Sequence, residues 1–261
     1  MKKEKRLKIF MVPGIFNNYK FFKPFYTFNK NLHIGDYPEC IFQPIDLPLR
    51  DTCFNRQPDP DVGTRSSDDD SAYLREQIAA NTRAGDFVVG MGHSRGALLL
   101  LMVAQKIKFD ALVLSGPAMP KGISSVNLGS LITFMELLWT PFFWRRPVKR
   151  SFLATKWGVL DSSMPYSRAR DAYESLVWES GRTLYELGFN QPEIDADKII
   201  ENCPRRLIVG GDKDCLIRSG AVHKLSKLLR AEEKFFSTAH YPFWGVDSGK
   251  LIKYIYSWLL K

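Results

Sequence analysis

The chain has 261 residues, 45% hydrophobic and 25% charged, a mixture that excludes disorder and fibrous repeats and fits one large domain. Lys and Arg exceed Asp and Glu by 37 − 28 = +9, and two segments carry the excess: residues 1–8 (net +4) and residues 144–156 (net +5). Two local patches are not the long basic stripe with interleaved aromatics of a nucleic-acid binder, and the longest strongly apolar stretch, Ala97 to Ala104, is too short to cross a bilayer. The short apolar segment after the basic N-terminus breaks at Pro13-Gly14, so it reads as a strand entering a turn and not as a signal-peptide core. Cys40, Cys53, Cys203 and Cys215 form no C-x-x-C pair, which suits a reduced, cytoplasmic protein. No metal-ligand spacing and no nicotinamide or phosphate loop is found, so neither metal nor cofactor is expected.

In chain order, Leu7 to Val12 predicts a buried strand, followed by a helix to about Asn31 interrupted at Pro24. Cys40 to Ile45 predicts a second strand, and residues 55–67 a loop. A helix opens at Asp68 to Ser71, where carboxylates favour free N–H groups, and runs to about Arg83. Strand Phe87 to Met91, helix Arg95 to about Ile107 and strand Ala111 to Leu114 continue the alternation. From Pro117 to Asn202 no buried strand is expected, only a helix from Arg170 to Leu187 with Tyr173, Leu176, Val177, Leu184 and Leu187 on one face. The pattern resumes with strand Arg206 to Gly210, helix Ser219 to Leu229, strand Lys234 to Ser237 and helix Ser248 to Leu260. This predicts an α/β architecture: a mostly parallel, doubly wound sheet of about six strands, built from 1–116 and 203–261. Residues 117–202 form a helical lid inserted after the fourth strand.

Gly92-His93-Ser94-Arg95-Gly96 is a G-x-S-x-G pattern between a buried strand and a helix. At such a corner the serine adopts a strained conformation, and the flanking glycines let strand and helix approach without a Cβ clash. A serine hydroxyl needs a base, usually a histidine oriented by an acid. Of four histidines, His93 lies inside the turn and reads as packing, while His33 and His223 read as solvated. His240, just after the last strand, is at the same sheet edge as Ser94 and is the candidate base. Asp212 and Asp214 compete as the acid; Asp214 is favoured because apolar residues follow it, whereas Asp212 can brace the turn through backbone N–H bonds. After the strand ending at Leu114, Ser115-Gly116 leaves no competing acid.

These residues resemble the α/β-hydrolase superfamily over essentially the whole chain, in particular its capped serine carboxylesterase-like members. The order Ser94, Asp214, His240 matches the family, and Gly211 to Asp214 resembles its acid loop. Pro13-Gly14-Ile15-Phe16 resembles the oxyanion loop, with Pro13 in place of the usual histidine. The resemblance implies an oxyanion hole from the backbone N–H groups of Arg95 and of Ile15 or Phe16. It also implies that the chain starts at the family's third strand, and that 176–181 belongs to a cap helix.

Leu131 to Trp144 is mostly apolar and is followed by Arg145-Arg146-Pro147-Val148-Lys149-Arg150. One reading packs these aromatics against the core with the arginines in water. The other makes an apolar acyl pocket from Phe16, Trp139, Phe143 and Tyr241, with a basic rim for an anionic acyl-carrier protein or an acidic lipid surface. The expected activity is hydrolysis of a small-molecule ester or thioester through an acyl-enzyme. The alternatives are a ligand-binding module, or a lyase or cofactor-free peroxidase using the same site.

Overall fold

The computed structural model describes residues 6–29, 39–51, 53–124, 127, 130, 134–137, 139–245 and 247–261. His33, the basic residues Lys2, Lys3 and Lys5, the expected helix end at Asn31, and Leu131 and Leu138 fall outside these.

Six strands form one sheet, β1 (Arg6–Val12), β2 (Glu39–Pro44), β3 (Phe87–His93), β4 (Ala111–Ser115), β7 (Arg205–Gly211) and β8 (Glu232–Phe236), in the order β2-β1-β3-β4-β7-β8. Every neighbouring pair is parallel. The inner strands are near-continuous apolar runs because both of their faces are covered, as in β1, where all residues after Arg6 are buried. Edge strand β8 instead exposes Glu232, Glu233 and Lys234, charges that discourage a further strand from pairing there.

Between the strands run α1 (Lys23–Asn29), α2 (Ser67–Asn81), α3 (Arg95–Ala104) and α8 (Ser219–Leu228), and α9 (Ser248–Leu259) follows the last strand; α1 packs with α9 and α2 with α3. Pro24 opens α1 rather than interrupting a helix, because a 3-10 turn over Tyr19–Phe22 precedes it. Helix α2 begins with a capping box between Ser66 and Asp69. Helix α3 is apolar nearly all round, and Leu98 to Leu101 are fully buried. Each such leucine contributes about 1.5–3 kcal/mol of burial, which fixes this helix, and the residue before it, firmly to the sheet.

The chain connecting β4 to β7 adds no strand to this sheet among the described residues. It carries α4 (Phe152–Gly158), α5 (Tyr166–Glu174), α6 (Gly181–Phe189) and α7 (Ala196–Asn202). It also holds a small antiparallel ribbon of β5 (Pro147–Val148) and β6 (Glu179–Ser180), although no strand is expected there from sequence. The single helix expected over Arg170 to Leu187 is corrected: α5 stops at Glu174, and α6 starts at Gly181. Residues 176–181 are therefore not a cap helix. Tertiary hydrogen bonds extend this segment: Val177 bridges Cys53 and donates its N–H to the Phe16 carbonyl at 2.9 Å, and Ser180 caps α6. Helix α7 lies against α3, with Asn202 Nδ2 donating to the Ala104 carbonyl.

The sheet order reverses direction beside β1, since β2 lies on one side and β3 on the other. The loop after β1 therefore meets the turn after β3 at the carboxyl edge, the crevice where such sheets place their ligands.

Candidate active site

Ser94 occupies the corner between β3 and α3 with φ 51° and ψ −120°, a left-handed conformation that costs a non-glycine residue about 1–3 kcal/mol. The corner closes only with glycine on either side. A Cβ on Gly92 would stand 2.5 Å from the Ala97 Cα, and one on Gly96 would stand 2.2 Å from the Val12 carbonyl oxygen. The Ser94 N–H donates to the Ser115 carbonyl at 2.9 Å, anchoring the corner to the end of β4.

His240 follows β8 and Asp214 follows β7. The two loops are laced together by Asp212 N–H to the Phe236 carbonyl (3.0 Å) and Lys213 N–H to the Thr238 carbonyl (3.2 Å). His240 Nε2 lies 3.0 Å from Ser94 Oγ, and His240 Nδ1 lies 2.8 Å from Asp214 Oδ2. Asp214 Oδ1 accepts the N–H groups of Leu216 (2.8 Å) and Ile217 (2.9 Å), so both carboxylate oxygens are engaged. A carboxylate can only accept, so Nδ1 carries the proton in that bond and the Nε2 lone pair faces the serine hydroxyl. All three side chains are buried, while Asp212 is exposed and meets its partner through the backbone.

His93 is fully buried, stacked on Phe21 at 4.3 Å, with Nδ1 3.1 Å from the Ser115 carbonyl. Burial, and then the neighbouring His240, hold its pKa well below 6.5, so it stands as a neutral packing group. His223 is exposed beside Glu233.

Gly14 lies directly over Ser94, since a Cβ there would stand 2.9 Å from the Ser94 Cβ. The next residue, Ile15, shares a cavity wall with Ser94, whereas the Phe16 N–H donates to Glu179 Oε2 at 3.4 Å. The Arg95 N–H is in the first turn of α3 and has no intrahelical acceptor. Its guanidinium points away, pairing with Asp70 at 2.6 Å.

A cavity of about 230 Å³ opens on Ser94 and His240 and is lined chiefly by apolar side chains, among them Met119, Phe134, Leu137, Phe143, Leu184 and Leu216. Phe143 is on its wall as expected from the sequence, but the other three expected pocket residues are not. Trp139 is 82% exposed, and Phe16 is buried among Phe54, Val148 and Leu176, in the same apolar cluster as the cavity-lining Ile15, Leu137, Phe143 and Leu184 but not on the wall itself. The positive-φ conformation of Phe16 and the bond from Val177 to its carbonyl hold it on that side. Tyr241 lines instead a second, smaller cleft, where its hydroxyl accepts from Asn17 Nδ2 at 2.7 Å. The basic segment also divides. Arg145, Arg146 and Lys149 are exposed, but Arg150 is buried, because the extended chain at β5 alternates and sends Val148 and Arg150 to the same inner side.

An ion cluster beneath the site was not legible in the sequence. Buried Asp70 of α2 meets Arg50, Arg65 and Arg95 at 2.8, 2.8 and 2.6 Å, and Arg50 Nε reaches Glu179 Oε1 at 2.6 Å. It ties the first turn of α3, next to Ser94, to β6 in the β4–β7 connection. The only sequence signal was the acidic run at the start of α2, which equally suits a solvated helix terminus.

Fold and site together define an α/β-hydrolase arrangement, with a strand–serine–helix corner, acid and histidine loops from later strands, and an apolar cavity at the same edge. The chain belongs to the alpha/beta hydrolase family, whose model matches residues 10–247. Its structure is similar to an extracellular α/β-hydrolase from a Paenibacillus species (TM-score 0.72, 12% identity, 96% of this chain and 98% of that one). It is also similar to a methylesterase from Arabidopsis (0.68, 13%, 97% and 98%) and a monoacylglycerol lipase from Paleococcus ferrophilus (0.63, 15%, 98% and 96%). At these identities the likeness is one of fold. No curated protein matches the chain. Among the described residues no helix is long and apolar enough to cross a membrane.

Proposed function

We propose that this chain is a serine hydrolase cleaving carboxylic esters or thioesters with an apolar acyl group. The observation that carries the reading is the linked chain Ser94 Oγ, His240 Nε2, His240 Nδ1, Asp214 Oδ2 at 3.0 and 2.8 Å, opening on an apolar cavity. Ser94 Oγ attacks the carbonyl carbon while its proton passes to His240 Nε2. The resulting oxyanion is received by the N–H groups of Arg95 and Ile15; Ile15 is preferred to Phe16 because the Phe16 N–H is engaged by Glu179. Collapse breaks the bond to the alkoxide or thiolate, which leaves with the proton from Nε2. Water then attacks the acyl-serine, gives a proton to Nε2 and releases the acid, and Oγ recovers the proton. Asp214 orients the imidazole throughout.

In this reading residues 117–202 act as a cap over the cavity. Exposed Arg145, Arg146 and Lys149 support an acyl-carrier protein as one donor of the acyl group. A cytoplasmic setting belongs to the same proposal and rests on the free thiols of Cys40, Cys53, Cys203 and Cys215.

The test is a series of p-nitrophenyl esters of increasing chain length, with and without a carrier-linked acyl substrate. Turnover with a chain-length optimum, abolished in Ser94→Ala, is expected. Saturable ligand binding without turnover would point to a binding module, and a product other than acid plus alcohol or thiol to non-hydrolytic chemistry.

A further inference from the structure

Ser94 and His240 stand between two spaces. Ile15, Ser94, Leu216 and His240 line both the apolar cavity and a second cleft, whose remaining walls are Gly14, Asn17, His93, Arg150, Val159 and Tyr241. The cleft measures about 10 Å³, room for one group the size of a water molecule or a carboxylate oxygen and not for an alkyl chain. Its walls include the polar side chains of Asn17, Arg150 and Tyr241, none of which lines the cavity.

Arg150 is the anomaly there. Its side chain is buried, with the residue 3% exposed, yet Nε and Nη2 have no hydrogen-bond partner. The Phe16 and Phe134 rings stand 4.7 and 5.1 Å from its guanidinium carbon, which offsets part of the desolvation but satisfies neither nitrogen. Glu136 is near enough to act on it electrostatically, but its Oε1 accepts the Ser151 N–H. Burial lowers the Arg150 pKa, with Tyr241 and Glu136 acting the other way, and arginine remains charged through the ordinary pH range. A buried, unpaired guanidinium is costly to fold, and an apolar side chain of similar size would usually be at least as stable. A charge kept at such a cost beside a nucleophile is accounted for by an anion that arrives with the substrate.

We propose that Arg150 is a specificity-determining residue that receives a carboxylate on the short arm of the ester, while the long apolar arm fills the cavity. The substrate class is then an ester or thioester with one apolar arm and, on the other side of the scissile carbonyl, a small group ending in a carboxylate. This rests on the esterase reading for which arms flank the bond, but not for the anion site itself.

The experiment uses two matched pairs, which place the charge on either side of the scissile bond. One is O-hexanoylglycolate against O-hexanoylglycolamide, and the other is monohexyl malonate against hexyl malonamate; product release is followed by chromatography. In at least one pair the wild type is expected to favour the carboxylate about tenfold or more in kcat/KM. In Arg150→Met that ratio falls by roughly 10–100-fold, the range of a charge-assisted hydrogen bond, and Arg150→Lys restores part of it. Thermal melts accompany the kinetics: Arg150→Met is expected to melt at or above the wild-type temperature. Equal use of both members of both pairs, or an equal loss on charged and neutral esters with a lowered Tm, would overturn the proposal. In the latter case Arg150 would be structural and the cleft a water site.

Binding to Ser94→Ala separates the two readings. Carboxylates that bind Ser94→Ala at least tenfold tighter than their amides, and lose this in Ser94→Ala/Arg150→Met, support the anion site even if no ester turns over. Normal turnover without any carboxylate preference leaves the esterase standing and removes the anion site.

Discussion

Asp214→Asn isolates the role of the acid more sharply than any deletion. Asp214 Oδ1 is held by two N–H donors, Leu216 at 2.8 Å and Ile217 at 2.9 Å, while Oδ2 faces His240 Nδ1 at 2.8 Å. In the asparagine variant the amide oxygen is the only atom able to accept both backbone donors, so the NH₂ group is turned toward Nδ1. Nδ1 must then accept, the ring proton moves to Nε2, and the base that should take the Ser94 proton is already occupied. The expected consequence is a loss in kcat of about 10⁴-fold, the size of effect produced by a wrong tautomer, with Tm near the wild type because both backbone bonds survive. Asp214→Ala should differ in stability: it leaves two buried N–H groups unpaired, at about 1–3 kcal/mol each. Steady-state ester hydrolysis and denaturant unfolding of the three proteins provide the comparison. An Asp214→Asn enzyme within tenfold of wild type in kcat would refute the tautomer argument. An Asp214→Asn protein as unstable as Asp214→Ala would refute the assigned orientation of the carboxylate.

Three further outcomes follow from other parts of the molecule. Arg50→Met leaves Glu179, 1% exposed, without the 2.6 Å ion pair from Arg50, and should lower the unfolding free energy by about 3–5 kcal/mol in urea; a loss under 1 kcal/mol would show that the cluster is not buried as described. The depressed pKa of His93 means that below about 6.5 the unfolded chain binds a proton that the folded one does not. The stability this residue contributes is therefore present above that value and lost as pH falls beneath it, by up to ~1.4 kcal/mol per pH unit, and His93→Gln should flatten that part of the slope in melts between pH 5 and 7. Phe143→Ala, on the cavity wall, should shift the ester chain-length optimum toward bulkier acyl groups, whereas Trp139→Ala, at an 82% exposed position, should leave the profile in place.

The parallel sheet was legible because its inner strands are short apolar runs bounded by turn residues, and strand boundaries moved by one or two residues at most. Ser94, Asp214 and His240 were legible because each follows a strand of that sheet, so the topology alone sends all three to the carboxyl edge. What escaped the sequence was set by contacts between distant segments. Val177 continues a helical pattern in sequence, but it bonds to Phe16 and bridges Cys53, so the helix breaks there. Trp139 and Phe143 belong to one aromatic stretch, and no local property tells that one faces solvent and the other the cavity. Arg150 read as one more surface cation because the alternation that buries it depends on pairing with Glu179-Ser180, some thirty residues on. Asp70 looked like a helix-start carboxylate, and two of its three arginine partners, Arg50 and Arg95, come from elsewhere in the chain.

The central claim, that Ser94 is a nucleophile activated by His240, is met most directly by treating the folded protein with a fluorophosphonate and mapping the adduct by peptide mass spectrometry. A single phosphonyl group on Ser94, absent from Ser94→Ala and formed far more slowly in His240→Ala, is the expected result. An unlabelled Ser94 in correctly folded protein, or labelling that proceeds equally fast without the imidazole, would contradict it.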